Sequence, residues 1–141
     1  MPPRTFETEF EDETIALGRQ LAPELKGCVL LIGNLGAGKT TLTKGIVEGL
    51  GVAPASDVTS PTFTLIHQYA PKVFHVDLYR LDEPKEVETL GLDELFASGA
   101  LVILEWAERF PSLLPKDRIE IRVTAAADDT RRITIETVSA R

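Results

Sequence analysis

The chain has 141 residues, 43% of them hydrophobic, a single cysteine, and a formal net charge of −7 from 22 acids against 15 bases. That length suits one domain burying roughly 68–70% of its unfolded surface, and the acidic balance opposes a direct grip on a polyanion, which takes a basic stripe that releases counterions. No apolar stretch approaches the ~20 residues a bilayer span needs and the first residues lack a signal-peptide core, so a soluble, cytoplasmic protein with no membrane partner is expected.

Residues 5–10 alternate in polarity like an edge strand, and 11–25 follow as a helix with acids in its first turn and Ile15, Leu17 and Leu21 as apolar points. The run Cys28-Val29-Leu30-Leu31-Ile32 reads as a buried strand, which gives Cys28 a packing role; one cysteine makes neither an internal disulfide nor a zinc site. Directly after it stands Gly33-Asn34-Leu35-Gly36-Ala37-Gly38-Lys39-Thr40, a complete G-x-x-x-x-G-K-[ST] phosphate loop. Its glycines allow positive φ and turn successive N–H groups toward an anion; Lys39 would reach the β and γ phosphates and the Thr40 hydroxyl would face Mg²⁺. In residues 39–50, Leu42, Ile46, Val47 and Leu50 share one helix face, so a helix N-terminus adds its partial positive charge at the same place.

Gly49, Gly51 and Pro54 stop that helix, and 53–60 reads as a loop. Residues 62–69 and 72–78, parted by Ala70-Pro71, predict an antiparallel hairpin. Pro84 opens a helical stretch over 85–90, a further turn covers 93–97, and Gly99 breaks it before a second buried strand over 101–104. Two alternating strands, 118–124 and 131–138, close the chain around a turn at 127–130. The sum is an α/β single-domain P-loop NTPase-like sandwich: a mixed sheet, parallel at its centre with antiparallel additions, flanked by helices.

The carboxylates decide what happens to a γ phosphate. Magnesium in such sites is held by the loop hydroxyl and an acid at the carboxyl end of a buried strand, a placement that Glu105 and Asp77 both have. Glu105, where aspartate is usual, either ligates the metal or positions the attacking water; the alternative for each acid is a strand end facing solvent. Ser60-Pro61-Thr62-Phe63 stands where a nucleotide-sensing loop would place a hydroxyl on the metal or γ phosphate, or is simply a proline turn. Lys39, Glu105, Asp77 and Thr62 are thus the candidate catalytic residues. Trp106 lies against a nucleotide, a partner or the core, and His67 and His75 read as structural. The only asparagine is Asn34 inside the loop, so the guanine-reading N-K-x-D segment is missing and adenine is favoured.

These pieces together resemble the TsaE family, also called YjeE, the P-loop ATPase of bacterial tRNA threonylcarbamoyladenosine synthesis. The matching residues are Leu35-Gly36-Ala37-Gly38-Lys39-Thr40-Thr41, Ser60-Pro61-Thr62-Phe63-Thr64-Leu65, His75-Val76-Asp77-Leu78-Tyr79-Arg80-Leu81, and Leu104-Glu105-Trp106 with Glu108. The resemblance implies ATP and Mg²⁺ as cofactors, with Leu35, Gly36, Ala37, Gly38, Lys39, Thr40 and Thr41 around the phosphates. It gives Thr40 and Glu105 as metal ligands, Thr62 in a switch-like segment, Asp77 as a further acidic site residue, and Glu11 and Arg131 approaching the nucleotide. It also implies the TsaB–TsaD pair as partner, with tRNA reached only through that complex and TsaD performing the transfer. Two rival readings share the loop: a small-molecule kinase, which would need a lid with converging arginines, and a non-enzymatic assembly factor that retains its nucleotide.

Overall fold

Two buried parallel strands anchor the architecture, β2 (Cys28–Ile32) and β5 (Leu101–Glu105), paired Cys28 with Val102 through Leu31 with Glu105. This is a computed structural model describing residues 3–34, 36–59, 65–126, 128 and 130–139. Apart from the terminal Glu105, both strands are continuous apolar runs because each of their faces is covered, the pattern expected of central parallel strands. β6 (Arg118–Ala125) joins the far edge of β2 in parallel, and β4 (Val73–Asp77) joins β5 in parallel. Antiparallel additions complete the sheet: β7 (Arg131–Val138) on β6, β1 (Arg4–Thr8) on β7, and β3 (Ile66–Ala70) on β4. The order across the sheet is β1-β7-β6-β2-β5-β4-β3.

Successive residues of a strand point to opposite faces. Val29 and Leu31 therefore meet Leu17, Leu21, Leu42, Ile46 and Ile103 in one core layer, and Cys28 and Leu30 meet Val76, Val87, Val102, Leu104 and Phe110 in the other. Helices α1 (Glu11–Leu21) and α2 (Lys39–Gly49) cover the first face; α3 (Pro84–Glu88) and α4 (Leu92–Ala97) contribute Val87 and Leu92 to the second. Glu13 starts α1 by accepting the backbone N–H groups of Glu9 and Phe10, at 2.6 and 3.2 Å.

α1 and α2 approach so closely that only glycine fits between them. A Cβ on Gly45 would lie 2.0 Å from the Ile15 carbonyl oxygen, and one on Gly18 would lie 2.5 Å from that of Leu42. Lys39 is the first residue of the second helix of this close-packed pair.

Several boundaries differ from the sequence reading. The expected 11–25 helix ends at Leu21 and continues as a 3₁₀ turn over Ala22–Glu24, because Pro23 has no N–H to extend the α ladder. The first strand stops at Thr8 because the Glu9 and Phe10 N–H groups go to Glu13. The β3–β4 turn is Pro71-Lys72, one residue later than expected. Residues 62–64 of the expected hairpin lie outside the described residues. No helix among the described residues is long and apolar enough to cross a membrane.

Candidate functional site

The loop after β2 turns on glycines that cannot carry a side chain. Gly36 and Gly38 have φ of +80° and +114°, and a Cβ on Gly33 would lie 2.5 Å from the Val123 carbonyl oxygen of β6. Ala37 is buried in the core layer beneath and fastens the loop to the sheet, while Leu35 lies outside the described residues. Gly38 caps α2 in the left-handed conformation, so the unbonded first-turn N–H groups of an eleven-residue helix face the loop. Thr40 stands half-buried in that turn, next to Lys39.

Lys39 is the most unusual side chain in the molecule. It is 5% exposed, and its Nζ has no hydrogen-bond partner among the described residues. The ammonium lies 4.0 Å from Glu105 Oε1 and 3.8 Å from the centroid of the Trp106 ring. Burial pushes its pKa below that of an ordinary lysine, against the opposing pull of Glu105, Glu108 and Asp77.

The parallel register explains why those acids converge. Asp77 and Glu105 end β4 and β5 as direct partners, and both are 2% exposed, so neither is a strand end facing solvent. His75, two residues before Asp77 and on the same face, is fully buried and bonds through Nε2 to Glu105 Oε2 at 2.5 Å. Asp77 Oδ1 accepts the Tyr79 N–H at 2.8 Å. Trp106 has a left-handed backbone, φ +65°, which reverses the chain after β5 and sends it into a 3₁₀ turn at Ala107–Arg109. Arg109 straps that turn to the exit of β4. One of its terminal nitrogens donates to the carbonyls of Leu78, Tyr79 and Leu81 at 2.5, 3.1 and 2.7 Å.

On the other side of the loop a cleft of about 310 Å³ is lined by Phe10, Glu11, Thr14, Gly36, Thr41 and Arg131, among others. Glu11 sits 3.8 Å from Lys44 on α2, and the Arg131 guanidinium packs near Gly38, 3.6 Å from where a Cβ would stand. Lys39, Glu105 and Asp77 thus form one cluster, and Glu11, Thr41, Gly36, Gly38 and Arg131 line the adjoining cleft. Thr62 lies outside the described residues.

The family model described as "Threonylcarbamoyl adenosine biosynthesis protein TsaE" matches residues 8–133. The chain belongs to the TsaE family. It is 44% identical over 141 residues to the Bacillus subtilis tRNA threonylcarbamoyladenosine biosynthesis protein TsaE, covering 96% of this chain and 87% of the relative. The Streptomyces coelicolor TsaE is 43% identical over 131 residues, covering 84% and 86%. The crystal structure of Bacillus subtilis YdiB superposes with a TM-score of 0.77 at 35% identity, covering 99% of this chain and 87% of that one.

The residues present fit a magnesium-bound triphosphate. A buried cation without hydrogen bonds, a cradle that a Cβ would fill and two strand-end carboxylates match what such a group asks for. Mg²⁺ takes one or two carboxylates and completes its shell with phosphate oxygens and water, a demand that Thr40 and Glu105 would meet. Three parts of this TsaE site escaped the sequence reading. His75 read as structural, although its i, i+2 spacing to Asp77 on a strand already placed both on one face. Phe10, 65% exposed on the cleft wall, had no signal beyond its position before the α1 acids. Arg109 acts on carbonyls 28 to 31 residues away, a contact that only the register reveals.

Proposed function

We propose that this chain binds ATP and Mg²⁺ on its phosphate loop, hydrolyses ATP slowly alone and faster on a TsaB–TsaD pair, and acts there as a nucleotide switch in the making of N6-threonylcarbamoyladenosine in tRNA. Membership of a family described by that biosynthesis supports the process; the buried, hydrogen-bond-free Lys39 beside Glu105 and Asp77 supports the chemistry. A cytoplasmic location and contact with tRNA only through the partner accord with the net charge of −7.

In this reading Leu35, Gly36, Ala37, Gly38, Lys39 and Thr40 wrap the phosphates, and Thr41 follows them at the start of α2. Lys39 leaves its seat over Trp106 to neutralise the β and γ phosphates. Thr40 and Glu105 hold the metal, whose chemistry when bound is to draw charge from the transferring phosphate. Asp77 supports that end of the sheet from the neighbouring strand, and Thr62 carries the nucleotide-dependent change to the docked surface. Glu11, Phe10 and Arg131 receive the nucleoside side of the ligand.

The test is phosphate release measured alone, with TsaB–TsaD, and with tRNA added. Release that rises on adding TsaB–TsaD, and is abolished by Lys39→Ala, is expected. Equal turnover with and without the pair would overturn the switch, and full activity of Lys39→Ala would overturn the phosphate-loop assignment. Transfer of labelled phosphate to a metabolite instead of water would favour a kinase.

A further inference from the structure

We infer that Glu108 is a further catalytic residue, holding the attacking water through Oε1 and taking its proton; the inference rests on the ATPase reading above. Glu108 is the third carboxylate acting on Lys39 alongside Glu105 and Asp77, yet it lies on no strand end. It sits in the 3₁₀ turn Ala107–Arg109 that opens on Trp106, at φ +65°, two residues from the ring whose centroid lies 3.8 Å from the Lys39 Nζ. Its Oε1 is sealed from solvent and has no hydrogen-bond partner among the described residues. The Lys39 Nζ, 5% exposed and 4.0 Å from Glu105 Oε1, and the His75 Nδ1 are likewise buried without a hydrogen-bond partner among the described residues.

A carboxylate oxygen removed from bulk water and given no donor is poorly satisfied unless a small donor enters with the ligand. Glu105 does not share that need. Its Oε2 already accepts from His75, and its Oε1, which faces the ammonium in the free chain, is given to the metal in the reading above. Once Lys39 turns to the phosphates, Glu108 keeps a fixed, buried acceptor on a turn that Arg109 pins to three carbonyls of the β4 exit. In this inference the donor is a water that enters with the nucleotide. In the step, the water oxygen bonds to the γ phosphorus as the bond from that phosphorus to the β–γ bridging oxygen breaks. The bridging oxygen leaves with the electron pair on ADP, one water proton passes to Glu108 Oε1, and the carboxyl later returns it to solvent.

Glu108→Gln keeps the shape of the side chain and removes its ability to take a proton. At saturating ATP and Mg²⁺, phosphate release with TsaB–TsaD should fall about 10²–10⁴-fold, while ATP affinity by calorimetry and the Mg²⁺ concentration for half-maximal rate each stay within about threefold. Glu108→Ala should behave alike, with a melting temperature close to that of the unsubstituted chain. A rate within about threefold of the parent would overturn the inference. So would a loss that excess Mg²⁺ restores, which makes Glu108 a metal-shell residue, or a parallel loss of ATP affinity and melting temperature, which makes it structural. In each of those cases the unsubstituted chain still binds and hydrolyses ATP; failure of that chain to bind ATP overturns both readings.

Discussion

Gly45→Ala tests whether the helix crossing sets the position of the phosphate loop. The new Cβ would stand 2.0 Å from the Ile15 carbonyl oxygen, where ordinary contact begins at 3.4 Å, so α1 and α2 must separate by about 1.4 Å at that point. A carbonyl cannot rotate away as a side chain would. Overpacking of this kind costs ~1–3 kcal/mol, and with backbone as the obstacle the upper part of that range applies. Alanine's better helix propensity returns ~1 kcal/mol, leaving a net loss of about 2 kcal/mol. For a domain of this size that is roughly 6–8 °C in Tm, read by calorimetry or urea unfolding. Gly27→Ala is the control, because its φ of +65° carries the left-handed penalty while nothing lies within 4 Å of the new Cβ; it should cost only ~1 kcal/mol. Lys39 begins the displaced helix, and a 1 Å error in such a group costs ~10²-fold, so phosphate release should fall further than stability alone explains. A Gly45→Ala protein as stable as the parent, or less perturbed than Gly27→Ala, would refute the reasoning.

Further outcomes are expected at three residues. Burial pushes the Cys28 thiol up to about 12; native protein at pH 8 should resist a disulfide reagent that titrates one thiol after denaturation. The sign at alkaline pH follows, since a raised folded pKa gives stability that is whole below the unfolded value of 9.0 and is lost as pH climbs toward about 12, a slope that Cys28→Ala should flatten. Lys39 is held below its usual pKa when free and meets phosphate when bound, so ATP binding should take up protons above the free-state pKa and weaken as pH rises, visible as a heat that depends on buffer ionisation enthalpy. Arg109→Ala removes three carbonyl bonds from a charged donor and should cost about 1–3 kcal/mol of stability, checked by urea unfolding.

The phosphate loop, the two buried strands and the alternating closing hairpin were legible because each rests on a local pattern: four fixed loop positions, an apolar run, a period of two. Asp77 and Glu105 were nameable as strand-end acids for the same reason. Their burial, the His75 bond to Glu105 and the seat of Lys39 on Trp106 were not, because each depends on which strands are neighbours and in what register. Val76 opposite Leu104 and Asp77 opposite Glu105 are facts of β4 lying beside β5, and no spacing within either segment encodes them. The 3₁₀ turn after Leu21 was readable in Pro23, whose missing N–H ends an α ladder.

On the proposed ATPase reading, the charges at the site leave a partner something to supply. Glu105, Asp77 and Glu108 set three carboxylates around one ammonium, Lys39. A triphosphate adds several more negative charges, and one divalent ion with the α2 terminus offsets only part of them. Phosphoryl transfer gathers charge on the γ oxygens and the leaving bridge, so the shortage is felt most in the transition state. Arg131 is the cation of the adjoining cleft, yet it packs by Gly38 on the α1 side of the loop, across from the strand-end acids. An arginine supplied in trans is worth ~10³–10⁵ in rate, and a partner surface that offers one beside Glu105 would correct the imbalance. If stimulation by TsaB–TsaD arises this way, replacing that partner arginine should return turnover to the level of the isolated chain while leaving the complex assembled; stimulation that survives every arginine substitution at the contact would place the acceleration in loop ordering instead.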